Sequence, residues 1–513
     1  MLVKTYGSAV FGIDATTITI EVNLAQGINF FLVGLPDSAV KESQQRIKAA
    51  LSNNNLKFPG KEITINMGPA DIRKEGSVFD LPIAIGILAA SEQVESQNLD
   101  KYILIGELSL DGELKPIKGA LSVALQAKSE GFENLILPFQ NAREAGMVEN
   151  LNVFPATSLS EVVEHLNGVN VLEKLNLDIR SEFEKSCIQN QVDFRDVKGQ
   201  LNIKRAFEIA AAGGHNIILI GPPGAGKSML AKRLSTILPP LSLTEALEAT
   251  KIHSVAGKMM NKGSLVTERP FRKPHHTISD VALVGGGGYP QPGEISLAHN
   301  GVLFLDELPE YKRTVLEVMR QPMEDRVVTI SRAKFTVDYP AGFMLVAAMN
   351  PCPCGYYNHP DKACSCGPGM VQRYLNKVSG PLLDRIDLHV EVTPVSYSEL
   401  ANDLPKEGST EIRNRVIEAR KIQTERYSIN PQGIHNNSQM SSKDLKEFGQ
   451  LDSDSQELLK NAMNRLGFSA RAYDRIIKVA RTIADLDCSK DINCAHLSEA
   501  IQYRSLDREN WAG

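Results

Sequence analysis

One eight-residue segment constrains the fold of this 513-residue chain more than any other feature. The segment Gly221-Pro222-Pro223-Gly224-Ala225-Gly226-Lys227-Ser228 follows the apolar run Asn216–Ile220 and precedes the predicted helix Met229–Leu238. It matches GxxxxGK[ST] between a strand and a helix, which is the context that a phosphate-binding loop requires. The glycines leave room for backbone N–H groups around phosphates, and a helix N-terminus favours negative charge. The segment predicts an α/β core that binds a nucleotide.

A second motif supports the same interpretation. We expect Lys227 to contact the β- and γ-phosphates of ATP, and the hydroxyl of Ser228 to bind Mg²⁺. A glycine-rich turn that matches by chance is the alternative. The run Gly301–Glu307 argues against that alternative, because an apolar strand there ends in two acids. We expect Asp306 to complete the Mg²⁺ site and Glu307 to orient and deprotonate the attacking water.

Three further polar residues complete the predicted catalytic set. The apolar strand Phe343–Met349 is followed by Asn350, whose amide could position the attacking water beside the γ-phosphate. Arg385 ends a short apolar helix, and Arg471 lies at the start of another helix. Phosphoryl transfer needs cations on the developing charge, and an arginine from a neighbouring subunit would make hydrolysis depend on assembly. A surface ion pair is the alternative for each arginine.

The chain changes in character along its length. Residues 1–167 mix short β-rich runs with helical stretches, residues 168–192 form a polar linker, residues 193–395 alternate strands and helices, and residues 396–513 are predominantly helical. A composition of 42% apolar and 23% charged residues is typical of globular proteins. The length and these shifts predict about three domains, each able to bury its own core.

Charge and hydropathy exclude several classes of protein. There are 56 Lys and Arg residues against 61 Asp and Glu residues, a formal net charge of −5, so no global basic surface exists and any contacts with DNA must be local. The longest apolar run, near Leu81–Ala90, is shorter than the roughly 20 residues that a membrane helix needs. The N-terminus has no secretory pattern. We expect a cytoplasmic protein with no membrane partner.

A cluster of four cysteines lies directly after Asn350. Cys352, Cys354, Cys364 and Cys366 form the pattern C-x-C-x9-C-x-C. Four thiolates so close in sequence fit a tetrahedral structural Zn²⁺ site over residues 352–366, although C-x-C is less usual than C-x2-C. A reduced loop without metal and a redox switch are the alternatives.

The set of motifs resembles one family. The segments GPPGAGKS, GVLFLDEL, AAMNPCPCG, SGPLLDRIDLHVEV and SARAYDRIIKVART resemble those of the AAA+ ATPases of the magnesium-chelatase-like ComM/YifB family, over essentially the whole chain. The resemblance implies an AAA+ P-loop core with a parallel sheet and a helical C-terminal lid. It also implies that Asn350 is the sensor 1 residue, Arg385 the arginine finger and Arg471 the sensor 2 arginine.

The resemblance also implies a DNA partner. Members of the family are similar to hexameric DNA helicases that drive branch migration during natural transformation, so we expect a homo-hexamer that acts on single-stranded or branched DNA. Two basic segments of this chain lie where the resemblance places inserts in the ATPase core. Arg272 and Lys273 lie in a predicted pore loop, and Arg332 and Lys334 lie near the tip of a predicted β-hairpin over residues 326–339. Solvated surface segments are the alternative for both.

Residues 1–167 resemble the Lon-protease domain, with its α+β fold of the S5 type. Val78 and Leu121 stand where that family has its Ser nucleophile and its Lys base, so we expect a proteolytically inactive domain. Three other functions stay open: the ATPase motor of a metal-chelatase-like complex, an ATP-dependent protease, and an ATP-gated assembly scaffold without a DNA substrate.

Overall fold

A computed structural model describes residues 1–178, 183, 192–259, 265–288, 290–332, 335–359, 361–394, 407–428 and 435–504, with the backbone alone at 332 and 335. The described chain contains two large sheets and a C-terminal group of helices. The predicted fold class is confirmed: the protein is a mixed α/β chain with a parallel sheet and a helical C-terminal region.

The first large sheet lies in the N-terminal third of the chain. Its region contains strands β1 (Leu2–Phe11), β2 (Asp14–Ala25), β3 (Phe30–Val33), β4 (Glu62–Gly68), β5 (Tyr102–Leu104), β6 (Glu107–Leu108), β7 (Leu114–Lys115), β8 (Asn134–Pro138) and β9 (Asn152–Ala156). The helices are α1 (Ser38–Lys41), α2 (Ser43–Asn53), α3 (Asp80–Ala90), α4 (Ala120–Ser129), α5 (Ala142–Ala145) and α6 (Leu159–Leu166). Seven of the described strands pair in the order β3-β4-β2-β1-β5-β8-β9, while β6 and β7 form a separate pair.

The N-terminal sheet mixes antiparallel and parallel pairing. Strands β1 and β2 form a long antiparallel hairpin, whereas β5, β8 and β9 run parallel to one another. Helix α3 is buried at every residue, as expected of a helix that is apolar on all sides. The longest apolar run of the sequence is therefore the central helix of this core.

The second large sheet carries the P-loop. Its region contains strands β10 (Ile217–Ile220), β11 (Phe271–Arg272), β12 (Gly285–Gly286), β13 (Gln291–Pro292), β14 (Val302–Leu305), β15 (Val327–Arg332), β16 (Phe335–Pro340), β17 (Met344–Met349) and β18 (Leu388–Glu391). The helices are α7 (Leu201–Gly213), α8 (Lys227–Ile237), α9 (Leu243–Val255), α10 (Asp280–Val284), α11 (Glu294–Leu297), α12 (Arg313–Glu317), α13 (Arg320–Asp325), α14 (Met370–Leu375) and α15 (Gly380–Leu383).

Five of these strands form a parallel sheet in the order β11-β14-β17-β10-β18. Strands β10, β14 and β17 are buried at every residue, because hydrophobic clusters cover both faces of the sheet. All five strands end at the same edge, where ligands of open α/β sheets bind. Gly221, Asp306 and Asn350 each follow one of the three buried strands, so the topology brings them to that edge.

Two short pairs of strands project from this sheet. Strands β15 and β16 form the predicted hairpin, with Arg332 opposite Phe335 at the end of the described register. Strands β12 and β13 pair within a glycine-rich segment. Gly285 has φ 115°, and a Cβ there would lie 2.5 Å from the carbonyl oxygen of Gln291. The glycine at 285 therefore permits a close approach of two strands.

The C-terminal helices pack against α7 and the P-loop sheet. They are α16 (Ser409–Tyr427), α17 (Ser442–Phe448), α18 (Ser453–Leu466), α19 (Ala470–Leu486) and α20 (Cys494–Gln502). A buried polar network joins α19 to the sheet: Arg475 Nη1 lies 2.9 Å from Asp387 Oδ1, and His215 Nε2 lies 2.8 Å from Thr482 Oγ1. Among the described helices, none is long and apolar enough to span a membrane.

The N-terminal region contacts the region of the P-loop sheet through several of the described residues. Helix α9 packs beside α4, where the Ser254 hydroxyl donates a hydrogen bond to the buried carboxylate of Glu144. Lys251 Nζ lies 2.6 Å from Asp14 Oδ1. A Cβ on Gly12, in the β1–β2 turn, would lie 2.5 Å from Cγ1 of Val337 in the hairpin. The two regions therefore meet at a helix and a hairpin of the P-loop region.

Candidate nucleotide site

The P-loop connects the carboxyl end of β10 to the first turn of α8. Gly224 and Gly226 have φ 80° and 82°, a left-handed conformation that glycine adopts at little cost. A Cβ on Gly221 would collide with the carbonyl oxygen of Val392. The glycines of the motif therefore stand where the backbone is left-handed or closely approached by another strand end. The loop places the N-terminus of α8 at the edge where the parallel strands end.

Lys227 is the central cation of this edge. Its Nζ donates hydrogen bonds to the carbonyl oxygens of Gly221 at 2.6 Å and Pro222 at 2.9 Å, and to Asn350 Oδ1 at 3.1 Å. Burial lowers the pKa of Lys227, while the carboxylates of Asp306 and Glu307 oppose that shift. The structure therefore brings Lys227, at the start of α8, into direct contact with Asn350, which follows β17.

Asp306 and Ser228 form an oxygen-rich site beside Lys227. The Ser228 hydroxyl donates to Asp306 Oδ2 at 2.6 Å. Burial raises the pKa of Asp306, but hydrogen bonds from Ser228 and Lys273 outweigh it and hold the pKa below its usual value. A carboxylate and a hydroxyl this close are hard oxygen ligands that suit Mg²⁺. Ser228 and Asp306 would hold this ion, which when bound neutralises charge on the phosphate oxygens.

Glu307 is exposed and conformationally unusual. Its φ is 54°, in the left-handed region, which is costly for a residue other than glycine and is often found at functional sites. His276 Nδ1 lies 3.3 Å from Glu307 Oε2. A cavity of about 360 Å³ is lined by Glu307 and Asn350 together with Arg373, Tyr374 and Lys377. The carboxylate thus faces open space beside the amide that was predicted to position water.

Arg385 and Arg471 are distant in sequence but lie near one another in the folded chain. Arg385 Nη2 lies 2.8 Å from Glu324 Oε1, and its side chain is only 12% exposed. Arg471 is 61% exposed and lies 3.5 Å from Asp384, the residue that precedes Arg385. Their described hydrogen bonds and ion pairs involve no residue of the P-loop site. The structure thus gives each arginine an ion pair within its own chain; the Arg385 side chain is largely buried, whereas its partner Glu324 is about half exposed.

The residues predicted to contact DNA have different surroundings. Nε and Nη2 of Arg272 donate hydrogen bonds to the carboxylate of Glu294, at 2.6 and 2.7 Å. Lys273 Nζ lies 2.9 Å from Asp306 Oδ2. Arg272 lies in an edge strand of the P-loop sheet, because β11 pairs with β14, and Lys273 directly follows this strand. Both side chains are therefore paired with acids while they stay partly exposed, and their predicted contact with DNA stays a prediction.

Arg332 is the last residue of strand β15. The described backbone includes Arg332, whereas Lys334 and the side chain of Arg332 lie outside the described part. Their predicted contact with DNA stays a prediction.

The four cysteines of the predicted metal site converge. Sγ of Cys352 lies 3.3 Å from that of Cys354 and 3.7 Å from that of Cys364, and the four sulfur atoms all lie within 4.8 Å of one another. A tetrahedral zinc ion with Zn–S bonds of about 2.3 Å separates its sulfur ligands by about 3.8 Å. A hydrogen bond from the backbone of Tyr356, with smaller contributions from neighbouring thiols, lowers the pKa of Cys354 to about 5. The cluster therefore fits a metal ion.

The cysteine cluster also contacts the P-loop. Gly355 has φ 85°, and a Cβ there would lie 2.5 Å from Cδ of Pro223. Cys352, the first thiol, follows Asn350 by two residues and is buried. The loop that carries the cysteines thus lies against the phosphate-binding loop and closely follows Asn350 in the sequence.

Sequence reasoning missed the partners of the two acids. Lys273 and His276 belong to a segment whose basic character was evident, but its strand has two residues and gives no periodic signal. Glu324, the partner of Arg385, comes from a separate helix, and no spacing links the two residues. Such contacts depend on the packing of elements distant in sequence.

Comparisons with known proteins identify relatives along most of the chain. Family models match residues 193–400 (magnesium chelatase, subunit ChlI), residues 20–141 (subunit ChlI of Mg-chelatase) and residues 406–504 (magnesium chelatase, subunit ChlI C-terminal). The competence protein ComM of Haemophilus influenzae is 45% identical over 505 residues, covering 98% of this chain and 97% of its own length. The uncharacterized protein YifB of Salmonella typhimurium is 44% identical over 505 residues, with 98% and 96% covered.

A more distant similarity concerns part of the chain. Lon protease 2 of Bacillus subtilis is 31% identical over 157 residues, or 28% of this chain and 27% of its own length. The similarity to ComM and YifB, by contrast, includes both large sheets and the helical region. The chain therefore belongs to the magnesium-chelatase-like AAA+ proteins of the ComM/YifB family.

Proposed function

We propose that the protein is an ATP-hydrolysing, homo-hexameric DNA translocase that promotes branch migration in recombination or natural transformation. One observation carries the ATPase part: Lys227, Ser228, Asp306, Glu307 and Asn350 meet at one edge of the parallel sheet. The DNA part is supported by the relative named competence protein ComM, which matches the chain over its whole length.

The chain's own residues divide the chemistry of hydrolysis among them. Lys227 and the N-terminus of α8 bind the phosphates, and Ser228 and Asp306 would hold Mg²⁺, which supplies positive charge to the phosphates when bound. Glu307 accepts a proton from the attacking water, while Asn350 positions that water. The cavity beside Glu307 and Asn350 offers room for it.

The arginines supply an argument for assembly. Arg471 pairs with Asp384, the residue that precedes Arg385. The described contacts of both arginines lie away from the P-loop of the same chain. We therefore assign both to the nucleotide of an adjacent subunit in a ring. Arg385 would exchange Glu324 for a phosphate oxygen when that subunit docks.

The hairpin is the proposed contact with DNA. Rings of Arg332 and Lys334 from six subunits would form a positive lining able to bind phosphates along a strand. Arg272 and Lys273 pair with Glu294 and Asp306 in the single subunit, so a contact with DNA would require them to exchange these partners. DNA binding and translocation that persist in the Arg332→Ala and Lys334→Ala double variant would contradict the assignment.

Branch migration on defined forked and three-strand DNA is the most direct test of the function. ATP should drive strand exchange by the wild-type protein, and DNA should stimulate its ATPase activity. The Lys227→Ala variant should lose both activities. ATP turnover that is insensitive to single-stranded and branched DNA would favour an assembly scaffold instead.

We propose that Cys352, Cys354, Cys364 and Cys366 bind one structural Zn²⁺ ion. The convergence of four sulfur atoms supports this site, and four ligands would leave no open position for catalysis. Metal analysis of the purified protein should find about one zinc per chain. Replacing Cys364 and Cys366 with Ser should abolish that content, whereas Cys488→Ser should not.

The N-terminal region is proposed to be a non-proteolytic relative of the Lon-protease domain. Val78 and the buried Leu121 cannot act as nucleophile or base. The neighbouring Ser77 donates its hydroxyl hydrogen to Glu107, so no lysine activates it among the described contacts. Peptidase activity that is lost on Ser77→Ala would contradict this assignment.

A motor for metal chelation is the second candidate, because the matching family models describe the ChlI subunit of magnesium chelatase. ATP-dependent insertion of Mg²⁺ into a porphyrin with a partner chelatase subunit would favour it. DNA-dependent turnover would favour the translocase.

A further inference from the structure

A lysine outside the P-loop, Lys273, pairs with a carboxylate oxygen that we expect to bind Mg²⁺. Lys273 Nζ donates to Asp306 Oδ2 at 2.9 Å, and the same oxygen accepts the Ser228 hydroxyl at 2.6 Å. Asp306 and Ser228 are the two side chains that would hold Mg²⁺. Lys273 therefore binds the acid where a divalent ion would bind it.

The fold holds Lys273 in this position. Its neighbour Arg272 is fixed by two hydrogen bonds to Glu294, and the strand that precedes Lys273 pairs with β14, which leads directly to Asp306. The ammonium group also lies 5.0 Å from the centre of the Phe304 ring, a favourable position for a cation. The contact with Asp306 is thus built by elements on both sides.

The charges of the site require an exchange when Mg²⁺ and a nucleotide bind. Lys227 contacts Asn350 and Lys273 contacts Asp306, while the carboxylates of Asp306 and Glu307 lie near Lys227. A divalent ion at Asp306 would repel the ammonium of Lys273 and compete with it for Oδ2. The displaced ammonium stays beside the phosphates, where it attracts negative charge.

We infer that Lys273 is a positioning residue that competes with Mg²⁺ for Asp306 and then serves as an additional cation for the phosphates of ATP. The inference rests on the ATP binding in our proposed function, and it is independent of DNA translocation. It assigns to Lys273 two opposite effects, since the same charge hinders the metal and favours the nucleotide.

The two effects can be measured by equilibrium binding of a fluorescent ATP analogue to the full-length protein. For Lys273→Met, we expect the Mg²⁺ concentration at half-maximal binding to fall on the order of five-fold, and the affinity in EDTA to weaken on the order of five-fold. Met keeps an apolar contact with Phe304. Lys273→Arg keeps the charge and should restore the affinity in EDTA.

Matched controls separate this role from a general effect on the fold. Lys232→Met removes an exposed lysine on α8 and should change neither quantity. Thermal unfolding should confirm that all variants are folded. A Mg²⁺ midpoint that is unchanged or raised in Lys273→Met would overturn the inference, while the absence of nucleotide binding by the wild-type protein would instead contradict the proposed function.

Discussion

At the scale of single residues, our proposal assigns the activation of water to the exposed Glu307, whose backbone is left-handed. Its left-handed backbone and its contact with His276 place a carboxylate beside the cavity that Asn350 also lines. Glu307→Gln keeps the shape of the side chain but cannot accept a proton. We expect ATP binding to persist while single-turnover hydrolysis slows on the order of 10²–10⁴-fold. Glu317→Gln is the control, and rapid turnover in Glu307→Gln would remove Glu307 from this role.

A second residue-scale prediction concerns the contact between the cysteine cluster and the P-loop. Gly355→Ala would strain a backbone with φ 85° and push a methyl group against Pro223. Gly369→Ala is a matched control, because φ there is 74° and a Cβ would meet nothing within 4 Å. Both changes should cost about 1–2 kcal/mol of stability.

The two glycine variants should differ in nucleotide binding. Only Gly355→Ala displaces the phosphate-binding loop, so we expect weaker binding of the ATP analogue in that variant and near wild-type affinity in Gly369→Ala. Equal affinities in titrations of the two variants would mean that the cysteine cluster does not support the loop.

At the scale of elements, the sequence predicted the parts of the site that follow long buried strands. Gly221, Asp306 and Asn350 were predictable as a group because parallel strands end at a common edge. The environment of Lys273 was not, because β11 spans two residues and its pairing depends on the edge of the folded sheet. A basic segment has the same composition whether it is solvated or paired with acids. Tertiary contacts decide between these outcomes.

The junction of α19 with the sheet gives a prediction at the same scale. Asp387 is fully buried, and although burial raises its pKa, Arg475 and His215 outweigh that effect and hold the pKa below its usual value. Asp387→Asn would leave Arg475 without its charge partner. We expect a loss of about 3–5 kcal/mol in the free energy of unfolding at neutral pH.

The pH dependence of this loss follows from the lowered pKa. A depressed carboxyl pKa stabilises the fold above the ordinary value of about 3.9, and the stabilisation fades as the pH falls toward the folded value. Urea unfolding should therefore show the wild type and Asp387→Asn converging below about pH 4. Asp384→Asn, which alters a partly exposed pair with Arg471, should change stability by less than about 1 kcal/mol at every pH.

At the scale of the whole molecule, the N-terminal region contacts elements that adjoin the nucleotide site. Helix α9 follows the P-loop helix and holds Glu144 through Ser254, and the β1–β2 turn touches the hairpin at Val337. The hairpin connects to β17, which ends at Asn350. A displacement at the P-loop edge would therefore be transmitted to the N-terminal region through α9 and through the β15–β16 hairpin.

Assembly itself can be tested by mixing two inactive variants. Lys227→Ala removes the cation of the P-loop, and Arg385→Ala removes the arginine assigned to the neighbouring subunit, so each variant alone should hydrolyse ATP slowly. In randomly mixed rings, about a quarter of the interfaces combine an intact P-loop with an intact Arg385, and activity should partly return. Lys227→Ala mixed with the Lys227→Ala and Arg385→Ala double variant should stay inactive. If the first mixture also stays inactive while mixed rings form, Arg385 does not act across the interface, and its ion pair with Glu324 is a feature of the single subunit.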